Sequence, residues 1–341
     1  MALLAGKATV AGVARTGGWR SAEALEAASL RKMGATARAW LELPKKLHYR
    51  FRYGGPFNAA RTLAYLGRDP ESLSERLEDG GYCRYFPVAG QPVAVRLTLG
   101  KADCRVELQK PLDPAGYLEL HDTVRRFLGL DQPLREFYRV ARENAVMAPL
   151  VGALPGVRIP QLPTLWEALS WAVVGQQINL TFAYRLRNRL IRLGQGGRQA
   201  PAGFPLPFPT AEQVLAIPPE KLRENQFSRQ KAAYLGNVAR ACLEGPLREL
   251  SAADPERATA ALLSVKGIGR WSAAYGLMRG LGWMDALPVG DAGLRTALLR
   301  RWALPAAPGP ARQEELMEPF RPYRALATYY LWKSLELPGE G

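Results

Sequence analysis

The hydrophobic period of this chain changes once, near residue 115, and that change restricts the fold more than any other feature. Leu47, Tyr49, Phe51 and Tyr53 alternate with His48, Arg50 and Arg52, the period-two pattern of a strand with one buried face. Residues 82–88 (YCRYFPV), 92–99 (PVAVRLTL) and 104–109 (CRVELQ) are three more strand-like runs, joined by AGQ and GKAD, which suit turns. A short helix is expected over PFNAARTLAYLG, started near Asn58 and stopped by Gly67. Beyond residue 115 the spacing of Leu118, His121, Val124, Phe127 and Leu128 is helical. Helical segments follow at TLWEALSWAVVG and TFAYRLRNRLIRLG, split by QQIN. Thr210 with Gln213 reads as a capping box, and Asp254-Pro255 as a helix start. The fold class expected is therefore α+β. Residues 46–115 form a small antiparallel sheet domain with helices, and residues 116–341 an all-helical body. Residues 1–45, small and scattered with Arg and Lys, read as a flexible extension rather than a targeting peptide.

Inside the helical region, one helix breaks and at once resumes. Leu262 to Gly280 runs LLSVKGIGRWSAAYGLMRG, with Gly267 and Gly269 flanking a single isoleucine. Glycine permits positive φ and lets backbone N–H groups face outward, so the expectation places such turns at Gly267 and Gly269. Those amides, at the start of the following helix, suit one phosphate oxygen, with Lys266, Arg270 and the Ser272 hydroxyl adding to the grip. A tight helix turn that binds nothing is the plain alternative. The apolar flanks and the charge of the chain weigh against it.

That charge is large. Lys and Arg total 46 against 31 Asp and Glu, a net +15, which suits a polyanion such as nucleic acid or an acidic membrane surface. No apolar run reaches the roughly 18 to 20 residues that span a bilayer, so membrane insertion is disfavoured. Cys83, Cys104 and Cys242 lie far apart with no CxxC pair, which argues against an iron–sulfur cluster, a thiolate zinc site and a disulfide framework. Only His48 and His121 exist, so chemistry needing several histidines is nearly excluded.

Asp291 follows Gly267 by 24 residues, after a Pro-Val-Gly turn and at the head of a helix. Taken alone it is an N-cap. Gly-Ile-Gly followed at that interval by an Asp heading xGLRxA resembles the signature of the helix-hairpin-helix (HhH-GPD) DNA glycosylases. Within that family the chain is most similar to the 3-methyladenine DNA glycosylase II (AlkA-like) group. The similarity runs from about residue 47 to 337 through GPFNAARTLAYL, LWEALSWAVVGQQIN, FPTAEQVLAI, ALLSVKGIGRWSAAYGLMRG and PYRALATYYLWKS. Residues 1–45 have no counterpart in it.

The resemblance implies roles for individual residues. Asp291 is the catalytic carboxylate, in a segment spanning 285–300, that stabilises an oxocarbenium-like sugar and orients water. Trp271, Tyr275 and Trp332 are base-pocket residues, with Tyr65 at its edge; each could instead be ordinary core. Electron-rich rings favour a cationic alkylated purine. Trp271 stands where strand-cleaving relatives keep a Schiff-base lysine, which implies a monofunctional hydrolase. Ala292 replaces an aromatic beside the catalytic Asp and reshapes the pocket. Gln177 is the side chain inserted into the gap left by the flipped nucleotide, the alternative being a polar helix cap. No cofactor is required. A structural monovalent cation, Na+ or K+, is implied on the carbonyls of Leu263, Val265 and Gly267. The partner expected is double-stranded DNA carrying an alkylated base, bound by a monomer in the cytoplasm at the nucleoid. A glycosylase for oxidised or deaminated bases, or a hairpin protein that only binds DNA, are the other readings.

Overall fold

In the computed structural model, which describes residues 9–43, 46–78 and 80–337, the alternating segments pair into one antiparallel sheet. Its strands are β1 (His48–Arg52), β2 (Glu75–Glu78), β3 (Gly81–Val88), β4 (Gln91–Leu99) and β5 (Asp103–Leu108), in the order β1-β5-β4-β3-β2. Register follows the hydrophobic pattern: Phe51 stands opposite Cys104, and Leu97 opposite Val106 on one side and Tyr82 on the other, all buried. In β1, Tyr49 and Phe51 turn inward while His48, Arg50 and Arg52 face out. Leu47 does not join that face; it precedes the strand and is 46% exposed. The edge strand β2, Glu-Arg-Leu-Glu, lacks the alternation that marks the others and exists by pairing with β3.

Residues 10–42 correct the reading of an N-terminal extension, because they carry three helices: α1 (Val10–Thr16), α2 (Ala22–Met33) and α3 (Ala37–Glu42). Each starts on a hydroxyl: Thr9 accepts from the Gly12 amide, Ser21 from Ala24 and Thr36 from Ala39. Small residues at Ala14, Ala28 and Ala37, together with Trp40, form their buried faces. α4 (Ala59–Leu66) starts on Asn58 and stops at Gly67, as its sequence predicts. α5 (Pro114–Phe127) belongs with the sheet rather than with the helical body. It buries Tyr117, Leu120, His121 and Val124, and the His121 ring meets Phe51 at 4.7 Å and Trp40 at 4.5 Å. The chain accordingly divides between Arg126 and Phe127, eleven residues beyond the expected border at 115, with Gln199–Pro207 returning to the N-terminal unit. That return is anchored by the Leu206 amide on the Leu73 carbonyl at 2.7 Å.

The second unit comprises α6 (Leu134–Arg142), α7 (Met147–Ala153), α8 (Leu165–Gly175), α9 (Leu180–Gly194), α10 (Ala211–Leu215) and α11 (Pro219–Glu224). It continues through α12 (Arg229–Leu243), α13 (Pro255–Ser264), α14 (Arg270–Gly276), α15 (Ala292–Arg301), α16 (Pro310–Met317) and α17 (Arg324–Ser334). The Thr210–Gln213 capping box forms, and Asp254 caps α13 with Pro255 at its first position. α14 runs on into a π-helical turn, Leu277–Leu281, that ends on Gly282 in the left-handed region. A buried fork then locks the segment leading to Asp291. Arg324 donates from Nε to Asp285 Oδ1 and from Nη2 to Oδ2, both at 2.8 Å, and the Ala325 amide bonds the Met284 carbonyl. The same helix, α17, carries Trp332.

Candidate active site

Asp291 is the N-cap of α15, and its carboxylate is fixed by three N–H groups. Oδ1 accepts from the Leu294 amide at 2.7 Å and from Trp332 Nε1 at 2.8 Å; Oδ2 accepts from Trp271 Nε1 at 2.9 Å. Asp291 is therefore an N-cap that also holds two indole donors, which a simple cap does not need. Gly290, at φ 85°, makes the turn into the helix, and its amide donates to Oε1 of the buried Gln313 at 2.9 Å. Asp291 stays partly open to solvent on a cleft of about 780 Å³, lined among others by Trp271, Gln177, Lys231, Tyr234 and Ala292.

The aromatics divide between donors and support. Trp271 and Trp332 are half-buried and spend their N–H groups on Asp291. Tyr275 is buried and stacks on Trp271 with centroids 5.3 Å apart and planes at 22°, while the Arg279 guanidinium lies 5.8 Å from the Tyr275 centroid. It is thus the inner ring of a stack whose outer ring meets the cleft. Tyr65 belongs to the N-terminal unit, on α4, with the Arg68 guanidinium 3.8 Å from its centroid.

The hairpin turns at Val265–Gly269. Val265 and Ile268 are buried and anchor it, while Lys266, Gly269 and Arg270 are exposed. Only one of its glycines adopts the left-handed backbone. Gly267 has φ 111°, and a Cβ there would sit 2.4 Å from Cγ of Tyr234. Gly269, expected at positive φ, has φ −91° and ψ 180°; it is the N-cap of α14, has no side-chain cap, and faces open space where a Cβ would stand. Its use is to leave the first amides of α14 accessible. Ser272 also departs from expectation. It is 3% exposed and its hydroxyl accepts from Gln176 Nε2 at 3.2 Å, so it braces the hairpin from within instead of reaching toward phosphate. Of the three carbonyls implied for a cation, that of Gly267 accepts from Gln176 Nε2 at 2.9 Å and that of Val265 from the Ile268 amide at 3.0 Å. Each of these carbonyls has a second lone pair, so the hydrogen bonds leave one acceptor site on each. No cluster of three or more His, Cys, Asp or Glu side chains suited to a metal exists among the described residues.

Gln177 sits at the tip between α8 and α9, exposed, with φ 56°. It shares the cleft with Asp291. Three residues of this region were not legible as site residues: Gln176, Lys231 and Gln313, each of which binds backbone groups far away in sequence. No helix among the described residues is long and apolar enough to cross a membrane.

In the second unit, a hairpin that begins a helix lies beside a helix headed by an indole-held carboxylate, an arrangement suited to gripping a phosphate next to a reactive acid. Residues 170–322 match the family model of the HhH-GPD superfamily base excision DNA repair proteins, and residues 48–163 that of the AlkA N-terminal domain. The chain belongs to the AlkA-like HhH-GPD DNA glycosylases. It is similar to DNA-3-methyladenine glycosylase 2 of Escherichia coli, 30% identical over 293 residues covering 83% of this chain and 96% of that one. It is similar also to the DNA-3-methyladenine glycosylase of Bacillus subtilis, 28% identical over 285 residues covering 82% and 94%. Among solved structures, the 3-methyladenine DNA glycosylase from Archaeoglobus fulgidus shares the fold, with a TM-score of 0.74 and 24% identity over 85% of this chain and 99% of that one.

Proposed function

We propose that this protein is a monofunctional DNA glycosylase that releases alkylated purines of the 3-methyladenine and 7-methylguanine type from double-stranded DNA. The observation that carries the reading is the Asp291 carboxylate, oriented by two indoles and a backbone amide at the edge of an open cleft. The names of the relatives support the substrate class. The exposed amides of the hairpin, with Lys266 and Arg270, hold a phosphate; Gln177 fills the gap left by the extruded nucleotide; the outer face of Trp271 receives the base. An N3- or N7-alkylated purine is cationic and leaves with the electron pair of its glycosidic bond, becoming neutral. Positive charge then develops at C1′, where Asp291 stabilises it and directs a water oxygen to form the new bond, the water proton passing to the carboxylate or to solvent. The products are a free base and an abasic site in an intact strand. Trp271 supplies no amine for a Schiff base. A monovalent cation on the Leu263, Val265 and Gly267 carbonyls would be structural, and no step needs it.

Incubation with methylated duplex DNA tests the reading. Expected are release of alkylpurines, no adduct trapped by borohydride, and strand scission only after added alkali. Asp291→Asn is expected to abolish release while binding DNA as the parent does. Release of 8-oxoguanine in place of alkylpurines would favour the oxidised-base reading, and wild-type turnover by Asp291→Asn would remove the carboxylate from the mechanism.

A further inference from the structure

The turn that carries Gln177 is strained and yet held from two directions. A residue with a Cβ at φ 56° costs energy that surrounding contacts must supply. Below that turn, the Lys231 ammonium is sealed onto the end of α8. Its Nζ donates to the carbonyls of Val173 at 3.1 Å, Val174 at 2.9 Å and Gln176 at 2.6 Å, using all three of its hydrogens at the C-terminus of the helix, where the Val173 carbonyl also accepts the Gln176 amide at 3.3 Å. Beside it, the Gln176 side chain crosses to the hairpin and donates to the Gly267 carbonyl and the Ser272 hydroxyl.

The position of Lys231 is unfavourable by local rules, which makes its contacts informative. It lies in the first turn of α12, three residues after the Ser228 cap, where the positive end of the helix disfavours a cation, and burial lowers its pKa from the ordinary lysine range. Two further residues of α12 serve the hairpin: the Tyr234 ring fills the space left by Gly267, and Asn237 Nδ2 donates to the Lys266 carbonyl at 3.0 Å. One helix therefore supports both the Gln177 turn and the phosphate-facing hairpin, and Gln176 ties the two directly.

We propose that Lys231 and Gln176 are positioning residues that set Gln177 in fixed register with the hairpin, so that gripping the phosphate and filling the vacated base site occur as one motion. The proposal rests on the reading of Gln177 as the inserted side chain. It also assigns Lys231 a role other than chemistry: an ammonium donating to three carbonyls has no lone pair with which to attack C1′, although it lines the same cleft as Asp291.

The test uses a readout independent of base release: a duplex with a tetrahydrofuran abasic analogue and 2-aminopurine opposite it, whose fluorescence reports on what enters the gap. Wild-type protein is expected to change the fluorescence on saturating binding, and Gln177→Ala to lose that change. Lys231→Met and Gln176→Met are expected to bind within about threefold of wild type, yet to seat Gln177 about tenfold less often, the equivalent of about one hydrogen bond. Lys231→Arg, which keeps a donor cation, is expected to restore much of the response. Full responses from both methionine variants would overturn the proposal, as would losses of affinity in proportion to the response, which mark general unfolding. If Lys231→Met does not fold, Gln176→Met decides alone. A wild-type response equal to that of Gln177→Ala overturns the proposal at its premise. Alkylpurine release, measured separately on the same preparation, then still reports on the glycosylase reading.

Discussion

At the scale of single residues, the site joins side chains whose types were legible to partners that were not. Asp291, Trp271, Trp332, Lys266, Arg270 and Gln177 stand in motifs whose residue types suit their chemistry. That the two tryptophans act as donors to Asp291 could not be read from sequence, because an indole in a pocket reads first as a wall. Gln176 and Lys231 left no local pattern at all: their backbone partners lie 91 and 55 residues away. Ser272 misled because a hydroxyl in a first helical turn reads as a ligand, whereas here it is buried. The donor role is testable at Trp332. Phenylalanine there keeps ring area but removes the N–H at 2.8 Å from Asp291 Oδ1, leaving that oxygen to the Leu294 amide. A hydrogen bond to a charged group is worth about 1.5 to 3 kcal/mol, so base release at saturating DNA is expected to slow about ten- to hundredfold with affinity unchanged. Weakened binding at an unaltered single-turnover rate would instead make Trp332 a wall only.

At the scale of elements, period and capping located four of the five strands, α4, α10 and α13, because each carries its own start signal or alternation. β2 escaped because three of its four residues are charged, and α1 to α3 because small residues form their buried faces. The two hairpin glycines were legible as a break, but their distinct duties depend on Tyr234, a residue of another helix. Gly267→Ala must hold φ 111° and place a Cβ 2.4 Å from that ring, and is expected to cost about 1 to 3 kcal/mol of stability. Gly269→Ala meets neither obstacle and is expected to fold normally while binding every DNA sequence more weakly. Denaturation and duplex-binding curves on the pair check this; equal stability losses would contradict it. α5 offers a second element-scale test. Burial, aided by the nearby charge of Arg125, pushes His121 down to about 3, with the Met33 backbone opposing. The unfolded chain takes up a proton near 6.5 and the folded chain does not, so stability present above pH 6.5 is lost as pH falls toward 3, at up to about 1.4 kcal/mol per pH unit. Replacing His121 with Phe is expected to flatten that slope between pH 6.5 and 4 relative to wild type, by chemical denaturation across the range. Parallel slopes would remove His121 from the acid response.

At the scale of the whole molecule, a net charge of +15 acts on DNA before any base is read. Binding to undamaged duplex is expected to be dominated by release of counterions from phosphate, with log K falling linearly in log salt. If about six phosphates are neutralised, the slope is about −5, and affinity drops about a thousandfold between 50 and 200 mM salt. The share due to the hairpin is separable from this background because its cations are exposed on a single turn. Lys266 and Arg270 both face solvent, on either side of the open amides. Removing them together as Lys266→Ala and Arg270→Ala is expected to make the slope shallower by about 2, equally for damaged and undamaged duplexes, since phosphate contacts carry no sequence information. Asp291 keeps its three donors in that variant, so the single-turnover rate at saturating DNA is expected to match wild type. The measurement is a titration of duplex at four or more salt concentrations for the parent and the double variant. An unchanged slope would mean that neither side chain meets phosphate, and that the charge which steers this protein to DNA lies elsewhere on its surface.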